Sequence, residues 1–252
     1  MKMILKQALG KCKLTIGSWM TIGDCSIAEI MAKTGFDWLV IDMEHSSIDF
    51  GVAQNLIRTI DLAGGTPLVR VGENSPYLIK RVMDAGAHGV IVPNVNSIEE
   101  AEKAVSAAKY SPEGTRGVGL ARAQNYGLGF EKYKEWQKKN ATVIVQIEHY
   151  KAMDELEGIL KTPGVDATMI GPYDLSASLG FPGNFQKKEM KDFLEKYLKV
   201  SKKVKKACGI HVIPPEAEEV KKVIKKGYNF IVFSFDAMFI GQKIKDEIKS
   251  VR

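Results

Sequence analysis

The chain has 252 residues, of which 45% are hydrophobic and 26% charged, and its formal net charge is +6. This composition is typical of a globular protein, and no apolar run approaches the roughly 18–20 residues that a membrane span requires. The N-terminal MKMILKQALGKCK lacks the apolar region and cleavage site of a signal peptide. Three cysteines without a CxxC pair, Cys12, Cys25 and Cys208, indicate reduced thiols in a cytoplasmic protein rather than a disulfide scaffold.

Much of the lysine excess lies in the last third of the chain, in KKEMKDFLEKYLKVSKKVKK and EEVKKVIKKG. Both stretches keep apolar residues at helical spacing, such as Phe193 and Leu194 in the first and Val220 and Val223 in the second. The lysines are therefore expected on the solvent side of two helices. No aromatic residues alternate with them, so a solvated face is favoured over nucleic-acid binding.

Short apolar, β-branched runs alternate along the chain with longer segments of helical period, which is typical of βαβ units and a parallel sheet. The eight predicted strands are Leu14–Met20, Asp37–Met43, Thr66–Val71, Gly89–Val92, Thr142–Glu148, Ala167–Gly171, Gly209–Ile213 and Asn229–Phe235. The predicted helices between and after them are Ser26–Thr34, Gly51–Ala63, Pro76–Ala85, Ile98–Ala108, Ala152–Lys161, the two lysine-rich stretches and a tail from Ala237. Eight strand–helix units predict an α/β fold, a single closed (β/α)8 (TIM) barrel over residues 1–252, rather than an open doubly wound sheet.

One segment does not fit the repeat. Tyr110–Gln137, which contains SPEGTRGVGLARAQNYG, is predicted to be a long irregular insertion after the fourth strand–helix unit. Long irregular loops inside a compact domain are usually functional when they are ordered.

Polar side chains concentrate where the predicted strands end, which is where (β/α)8 barrels carry their reactive residues. The most informative pair is Glu148 and Asp174, each just past an apolar strand and on neighbouring strands. Two carboxylates with open positions for water and substrate suit a hard octahedral ion such as Mg2+ or Mn2+. The alternative is that each carboxylate caps a helix, with Asp174 as the N-cap of LSASLG.

Other rim residues complete a candidate site. Gln146 lies two residues before Glu148 and so points to the same side of its strand. Arg70 is the only charged residue in its run, and it either pairs with a protein carboxylate or meets an anionic substrate. His45 is a candidate general base, with Asp42 or Asp84 as the residue that orients its imidazole.

Two further features are weaker. Gly171 and Pro172 precede Asp174, so that backbone N–H groups of Tyr173 and Asp174 at a helix start could bind a carboxylate. Among the other histidines, His88 is expected at the opposite end of the barrel, His149 on the outer side of its strand, and His211 is interpreted as a packed, hydrogen-bonded residue rather than one that faces the barrel interior.

Taken together, GxW near the start, FDWLVIDMEH, PLVRV, GAHGVIVPNVNSIEEAEKAV, PEGTRGVG, VIVQIEH and GVDATMIGPYDLSASLGFPG resemble the HpcH/HpaI aldolase family. Its members include 4-hydroxy-2-oxoheptanedioate aldolases and 2-keto-3-deoxy sugar-acid aldolases. The similarity runs from about Gly17 to Asp236, in order and at consistent spacing. It implies a barrel of the phosphoenolpyruvate/pyruvate superfamily and a class II aldolase, which joins or splits pyruvate and an aldehyde.

The resemblance also implies a role for each matching residue. Glu148 and Asp174 would bind the divalent metal (Mg2+, Mn2+ or Co2+), and Arg70 would stabilise the enolate oxygen. His45 would be the acid/base, aided by Asp42 or Asp84. The substrate would contact Trp19, Gln146 and the backbone of Gly171, Pro172 and Tyr173. The predicted strands contain no lysine, which agrees with a metal mechanism rather than a Schiff base.

The resemblance further implies a homo-oligomer, a hexamer built as a trimer of dimers, in which the helix from about Ala237 is exchanged between neighbours. The aldehyde is left undecided, because SSIDF after His45 and residues 117–130, both expected where the aldehyde binds, depart from the sugar-acid members. A related acyl-CoA lyase, like the citrate lyase beta-subunit or malyl-CoA lyase, is the alternative, with Arg116, Arg122 or C-terminal lysines at the CoA phosphates. A second alternative is a barrel without catalytic activity that serves as an interaction or nucleic-acid-binding protein. It is disfavoured because Arg70, Glu148, Asp174 and His45 are all retained.

Overall fold

The computed structural model describes residues 3–252. Met1 and Lys2 lie outside the described residues. The expected 1–252 domain and the N-terminal MKMILKQALGKCK both begin with these two residues. The strands are β1 (Thr15–Met20), β2 (Trp38–Asp42), β3 (Pro67–Arg70), β4 (Gly89–Val92), β5 (Thr142–Ile147), β6 (Ala167–Ile170), β7 (Ala207–Val212) and β8 (Phe230–Phe235). Each strand pairs in parallel with the next, and β8 closes the barrel on β1. The predicted (β/α)8 barrel is confirmed, with every predicted strand within two residues of its observed bounds.

The helices surround this barrel. They are α1 (Leu5–Gly10), α2 (Cys25–Lys33), α3 (Phe50–Leu62), α4 (Pro76–Asp84), α5 (Ile98–Ala108), α6 (Phe130–Asn140), α7 (Ala152–Lys161), α8 (Pro172–Ser178), α9 (Lys188–Val204), α10 (Ala217–Lys226) and α11 (Asp236–Val251). Three of them begin at side chains that accept hydrogen bonds from first-turn N–H groups: Asp24 before α2, Asp49 before α3 and Ser97 before α5. Such caps satisfy N–H groups that have no partner inside the helix. None of the helices among residues 3–252 has the length and apolarity of a membrane span.

The lower half of the barrel interior is apolar and tightly packed. The ring of Trp38 stacks on that of Phe230 with centroids 4.2 Å apart. Gly17 leaves the space for this pair, because a Cβ at that position would lie 2.1 Å from an atom of the Trp38 ring. Leu5 and Leu9 of α1 belong to the same buried cluster and close the barrel at its N-terminal end. The charged and amide side chains that face inward, Asp42, Arg70 and Gln146, lie at the opposite end, the mouth.

The segment Tyr110–Gln137 differs from its prediction. It contains a 3₁₀ turn at Arg122–Gly127 and the start of α6, so it is not irregular throughout. It also follows α5, which returns the chain to the N-terminal end of the barrel, where Arg122 pairs with Asp61 at 2.6 Å. Residues 117–130 do not line the mouth cavity of their own subunit, so the expectation that they lie at the aldehyde site is not met inside the subunit.

The C-terminal helix α11 is anchored at its start and little packed beyond it. Phe239 contacts Phe233 with ring centroids 5.1 Å apart. Further along, Ile240, Ile244 and Ile248 are 41%, 58% and 51% exposed. Their spacing of four residues places them on one side of the helix, so α11 presents an uncovered apolar stripe.

Candidate active site

The strand ends at the mouth surround a cavity of about 710 Å³. Its wall includes Trp19, Asp42, His45, Arg70, Gln146, His211 and the segment from Gly171 to Asp174. Most of the residues that the sequence predicts for the site are therefore brought together. Asp84 and Glu148 are not among the lining residues, but Glu148 accepts a hydrogen bond from the side-chain amide of Gln146, which does line the cavity.

Arg70 is held by two carboxylates and an aromatic ring. Its Nε and Nη2 donate to the two oxygens of Asp42 at 2.9 and 2.6 Å, and its Nη1 lies 3.1 Å from Oε2 of Glu44. Its guanidinium carbon sits 4.2 Å from the centroid of the Trp19 ring. Of the two interpretations open from the sequence, pairing with protein carboxylates is the one observed. The guanidinium is thereby fixed at the cavity wall.

His45 reaches the cavity from the loop after β2, with its side chain 67% exposed. The expectation that Asp42 orients its imidazole is not met, because the Asp42 carboxylate instead accepts from the backbone N–H groups of Glu44 and His45 at 3.0 and 3.2 Å. The carboxylate nearest the imidazole is Glu44, with Oε2 3.7 Å from Nε2 of His45.

Glu44 is the site residue to which sequence reasoning assigned no role. It lies two positions after Asp42, and this spacing is the signal that could have identified it, since alternate residues at a strand end share a side. Burial raises its pKa, an effect that Arg70 opposes and that Asp42 and Asp174 reinforce. Glu44 therefore interacts electrostatically with Arg70 and also with two carboxylates, that of Glu148 just after β5 and that of Asp174 on α8.

Asp84 lies elsewhere. It is the last residue of α4, which returns from the mouth to the N-terminal end of the barrel. There it pairs with the guanidinium of Arg116, whose side chain is fully buried, and Gln124 Nε2 lies 3.4 Å from its carboxylate. Within one subunit, residues 3–252 show no contact between Asp84 and His45. The expectation that Asp84 orients the imidazole is therefore not met inside the subunit.

Glu148 follows β5 and is almost fully buried. Its Oε1 accepts from the backbone N–H of Asn94 at 2.7 Å, and its Oε2 accepts from the side-chain amide of Gln146. Burial, followed by repulsion from Glu44 and more weakly from Asp174, raises its pKa to about 7 despite these hydrogen bonds. The Glu148 carboxylate is thus held by two hydrogen bonds and repelled by its acidic neighbours.

Asp174 faces the cavity from the first turn of α8 and is exposed. It does not cap the helix, since the N-cap is Gly171 and Pro172 occupies the first position. The helix-capping alternative for Asp174 is therefore wrong. A Cβ on Gly171 would lie 2.8 Å from Oε2 of Glu148, so only glycine leaves room between β6 and the Glu148 carboxylate.

These donors fit a hard divalent cation. Glu148 and Asp174 offer carboxylate oxygens and act on each other electrostatically. No group of three or more His, Cys, Asp or Glu side chains within residues 3–252 is arranged to hold a metal. Two carboxylates leave most positions of an octahedral ion for water or ligand oxygens, which is the usual arrangement for Mg2+.

The remaining histidines divide between the two ends of the barrel. His88 pairs with Asp61 at 3.2 Å at the N-terminal end, as expected. His149 stacks against Tyr150 with ring centroids 4.7 Å apart. His211 is packed against the Ser234 carbonyl, as expected, but its ring also faces the barrel interior, where it lines the cavity edge-on to Trp19 with centroids 6.0 Å apart. Its inward direction follows from the register of β7 in the closed barrel.

Comparison with known proteins finds relatives that match this chain over most of its length. The model of the HpcH/HpaI aldolase/citrate lyase family matches residues 15–241. A hydroxypyruvate/pyruvate aldolase of Paraburkholderia phytofirmans is 34% identical over 98% of this chain and 97% of its own. A 2-keto-3-deoxy-L-rhamnonate aldolase of Escherichia coli is 34% identical over 96% and 91% of the two chains. The crystal structure of an HpcH/HpaI aldolase/citrate lyase family protein from Burkholderia cenocepacia superimposes with a TM-score of 0.93, at 33% identity and 98% coverage of both chains.

Proposed function

The chain belongs to the HpcH/HpaI aldolase/citrate lyase family and is thus a carbon–carbon lyase of the aldolase type, and we propose that it cleaves or forms 4-hydroxy-2-oxo acids with the help of a divalent metal. The products of cleavage are pyruvate and an aldehyde. The observation that carries this proposal is the carboxylate pair Glu148 and Asp174 beside the fixed guanidinium of Arg70 at the barrel mouth. The relatives named for hydroxypyruvate/pyruvate and 2-keto-3-deoxy-L-rhamnonate support the same substrate class.

Glu148 and Asp174 are the residues that would hold the metal. The bound cation (Mg2+, Mn2+ or Co2+) supplies Lewis-acid polarisation of the 2-oxo acid. The raised pKa of Glu148 supports this assignment, because a cation would relieve the repulsion among Glu148, Glu44 and Asp174. Its neighbour Gln146 lines the cavity, and the Oε1 atom of Gln146 has no hydrogen-bond partner among the described residues.

Arg70 stabilises the negative charge that develops on the keto oxygen when the bond beta to it breaks. A guanidinium carries five N–H donors, and Asp42 and Glu44 engage only part of them. The others remain for the substrate. Trp19 covers one face of the guanidinium, and this contact restricts the positions the charge can take.

His45 transfers the proton of the substrate's 4-hydroxyl group. Its exposed ring on the mouth loop gives it access to bound substrate, and Glu44 is the nearby carboxylate. The backbone of Gly171, Pro172 and Tyr173 lines the carboxylate end of the substrate. Asp84 would assist His45 only if a neighbouring subunit presented it, because in its own subunit it lies at the other end of the barrel.

An assembly of subunits is part of the proposal. The exposed stripe of Ile240, Ile244 and Ile248 on α11 supports a homo-oligomer, since apolar stripes of this kind are covered in stable proteins. We propose a hexamer, arranged as a trimer of dimers, in which α11 is exchanged between neighbours.

The acyl-CoA lyase alternative has less support. Two of the basic residues available for CoA phosphates, Arg116 and Arg122, are paired with Asp84 and Asp61 at the N-terminal end of the barrel. In the subunit they are therefore far from the mouth. Assay of CoA thioester cleavage separates this alternative from the aldolase.

The test of the proposed function is pyruvate release from a panel of 4-hydroxy-2-oxo acids, with Mg2+, Mn2+ or Co2+ and with EDTA. We expect metal-dependent release by the wild type and none by Glu148→Ala. Release that survives both EDTA and the substitution would overturn the metal assignment. If the metal-loaded protein releases no pyruvate from any acid of the panel, the proposed reaction is overturned.

A further inference from the structure

His211 is held in one orientation by an irregularity of β8. The register between β1 and β8 shifts between Gly17 and Trp19, which marks a β-bulge around Ser234. Ser234 has a φ of 51°, in the left-handed region that serine rarely adopts. Bulges of this kind re-aim backbone groups beside active sites. Here the Ser234 carbonyl accepts from Ser18 Oγ at 3.2 Å and also from the imidazole of His211.

This contact defines which nitrogen of His211 is free. Nε2 has no hydrogen-bond partner among residues 3–252, and we therefore assign Nδ1 as the nitrogen that faces the Ser234 carbonyl. Burial, reinforced by the charge of Arg70, lowers the pKa of the imidazole to about 4, although the Ser234 carbonyl opposes the shift. The ring is consequently neutral at physiological pH, and Nε2 is a hydrogen-bond acceptor without a donor.

The position of Nε2 indicates what kind of group would satisfy it. His211 lines the mouth cavity beside Trp19 and close to Arg70. The Oε1 of Gln146, on another part of the same wall, is a second buried acceptor without a partner. Buried acceptors are almost always paired in folded proteins. Carboxylate and keto oxygens cannot donate, so the complementary ligand group is a hydroxyl.

We propose that His211 is a specificity-determining residue that accepts, through Nε2, a hydrogen bond from a hydroxyl group of the bound substrate. The inference rests on the proposed aldolase function and narrows its substrates to hydroxylated ones. The hydroxyl belongs either to C3 of the 2-oxo acid or to the carbon next to the aldehyde. Both groups present the same O–H donor.

The experiment uses pairs of substrates in which a methyl group replaces the hydroxyl. For the 2-oxo acid, the Mg2+-loaded enzyme is incubated in D2O with hydroxypyruvate or 2-oxobutanoate. The exchange of the C3 protons for deuterium is followed by NMR and corrected for uncatalysed exchange. For the aldehyde, the enzyme adds pyruvate to glycolaldehyde or propanal. In each arm the measured quantity is the ratio of kcat/KM for the hydroxylated member to that for the methyl member.

We expect His211→Leu to lower this ratio about tenfold in one of the two arms, the usual effect of one neutral hydrogen bond. The affected arm identifies the source of the hydroxyl. His211→Gln, whose side-chain oxygen is an acceptor, should retain part of the preference. His88→Leu, the same substitution at the other end of the barrel, should leave both ratios unchanged, and melting curves establish that each variant is folded.

Unchanged ratios in both arms for folded His211→Leu would overturn the role of His211 and leave the aldolase function standing. If the wild-type enzyme does not exchange the C3 protons of pyruvate or of any other 2-oxo acid with D2O, the proposed function is overturned instead. Measurement of wild-type pyruvate exchange first separates these two failures.

Discussion

Arg70 and Asp42 are register partners on adjacent strands, and their side chains pair through two hydrogen bonds of 2.9 and 2.6 Å at the mouth of the barrel. The planar fork of a guanidinium matches a carboxylate in a way that an ammonium group does not. Asp42 also accepts from the backbone of the following loop, so a single carboxylate fixes both Arg70 and the start of the loop that carries His45.

Replacement of Arg70 by lysine keeps the charge but removes this geometry. We expect kcat for pyruvate formation to fall about 10²-fold, comparable with the loss of one preorganised donor in other enzymes. Arg81→Lys, an exposed arginine on α4, is the matched control and should be nearly silent. Wild-type kcat in folded Arg70→Lys would contradict a role for the fixed guanidinium.

Replacement of Glu148 by glutamine should separate metal binding from stability. Its pKa is raised to about 7, so the folded state favours the protonated carboxyl. The resulting contribution to stability is present below the unfolded pKa near 4.5 and is lost as pH rises through 7. In EDTA, we therefore expect the melting temperature of the wild type minus that of Glu148→Gln to be smaller at pH 8 than at pH 5.

Addition of Mg2+ at pH 8 should then raise the melting temperature of the wild type and leave that of Glu148→Gln unchanged, because a ligand stabilises only the state that binds it. Glu157→Gln, on the outer surface of α7, is the control and should respond to Mg2+ as the wild type does. An equal rise for Glu148→Gln would argue against Glu148 as a ligand.

The buried imidazole of His211 predicts an acid-sensitive stability. Its pKa is lowered to about 4, so between pH 6.5 and 4 the unfolded chain takes up a proton that the folded state does not. Stability is therefore lost as pH falls, by about 2 kcal/mol between pH 8 and pH 5. Urea unfolding at both pH values should show a smaller acid-induced loss for His211→Leu than for the wild type. Identical losses would mean that the imidazole is not buried in its neutral form.

Arg116 should matter for stability. Its buried guanidinium pairs with Asp84 and donates to the hydroxyl of Tyr133 at 3.0 Å, which ties the loop after α5 to α4. Arg116→Leu should lower the free energy of unfolding by about 3 kcal/mol, or the melting temperature by roughly 10 °C. Arg58→Leu, an exposed arginine on α3, should change the free energy of unfolding by less than about 0.5 kcal/mol. Equal effects of the two substitutions would contradict a structural role for the buried pair.

The apolar stripe on α11 should control assembly. Ile244→Asp places a charge in the middle of the stripe, and we expect a smaller particle in light scattering after gel filtration. Gln242→Asp adds the same charge on the opposite side of the helix and should keep the wild-type mass. If Ile244→Asp also keeps that mass, the stripe is not an interface between subunits.

The alternation of apolar strands and amphipathic helices was enough to predict the barrel and the bounds of its strands, because burial periodicity is a local property of the chain. The polar residues at the strand ends were predicted in the same way. Arg70, Gln146 and His45 all line the mouth, as expected. The spacing between Gln146 and Glu148 also predicted their common side, and the two side chains are hydrogen bonded.

Only the tertiary structure decided which of these groups meet. Asp84 stands on a helix that returns the chain to the far end of the barrel, so its partner is Arg116 rather than His45. Glu44 is part of the site because it pairs with Arg70 on the next strand. His211 is held there because a bulge in β8 turns the Ser234 carbonyl toward its imidazole. Such relationships depend on strand register and on the path of the connecting helices, which are set by packing across the whole barrel and leave no mark in the sequence around each residue.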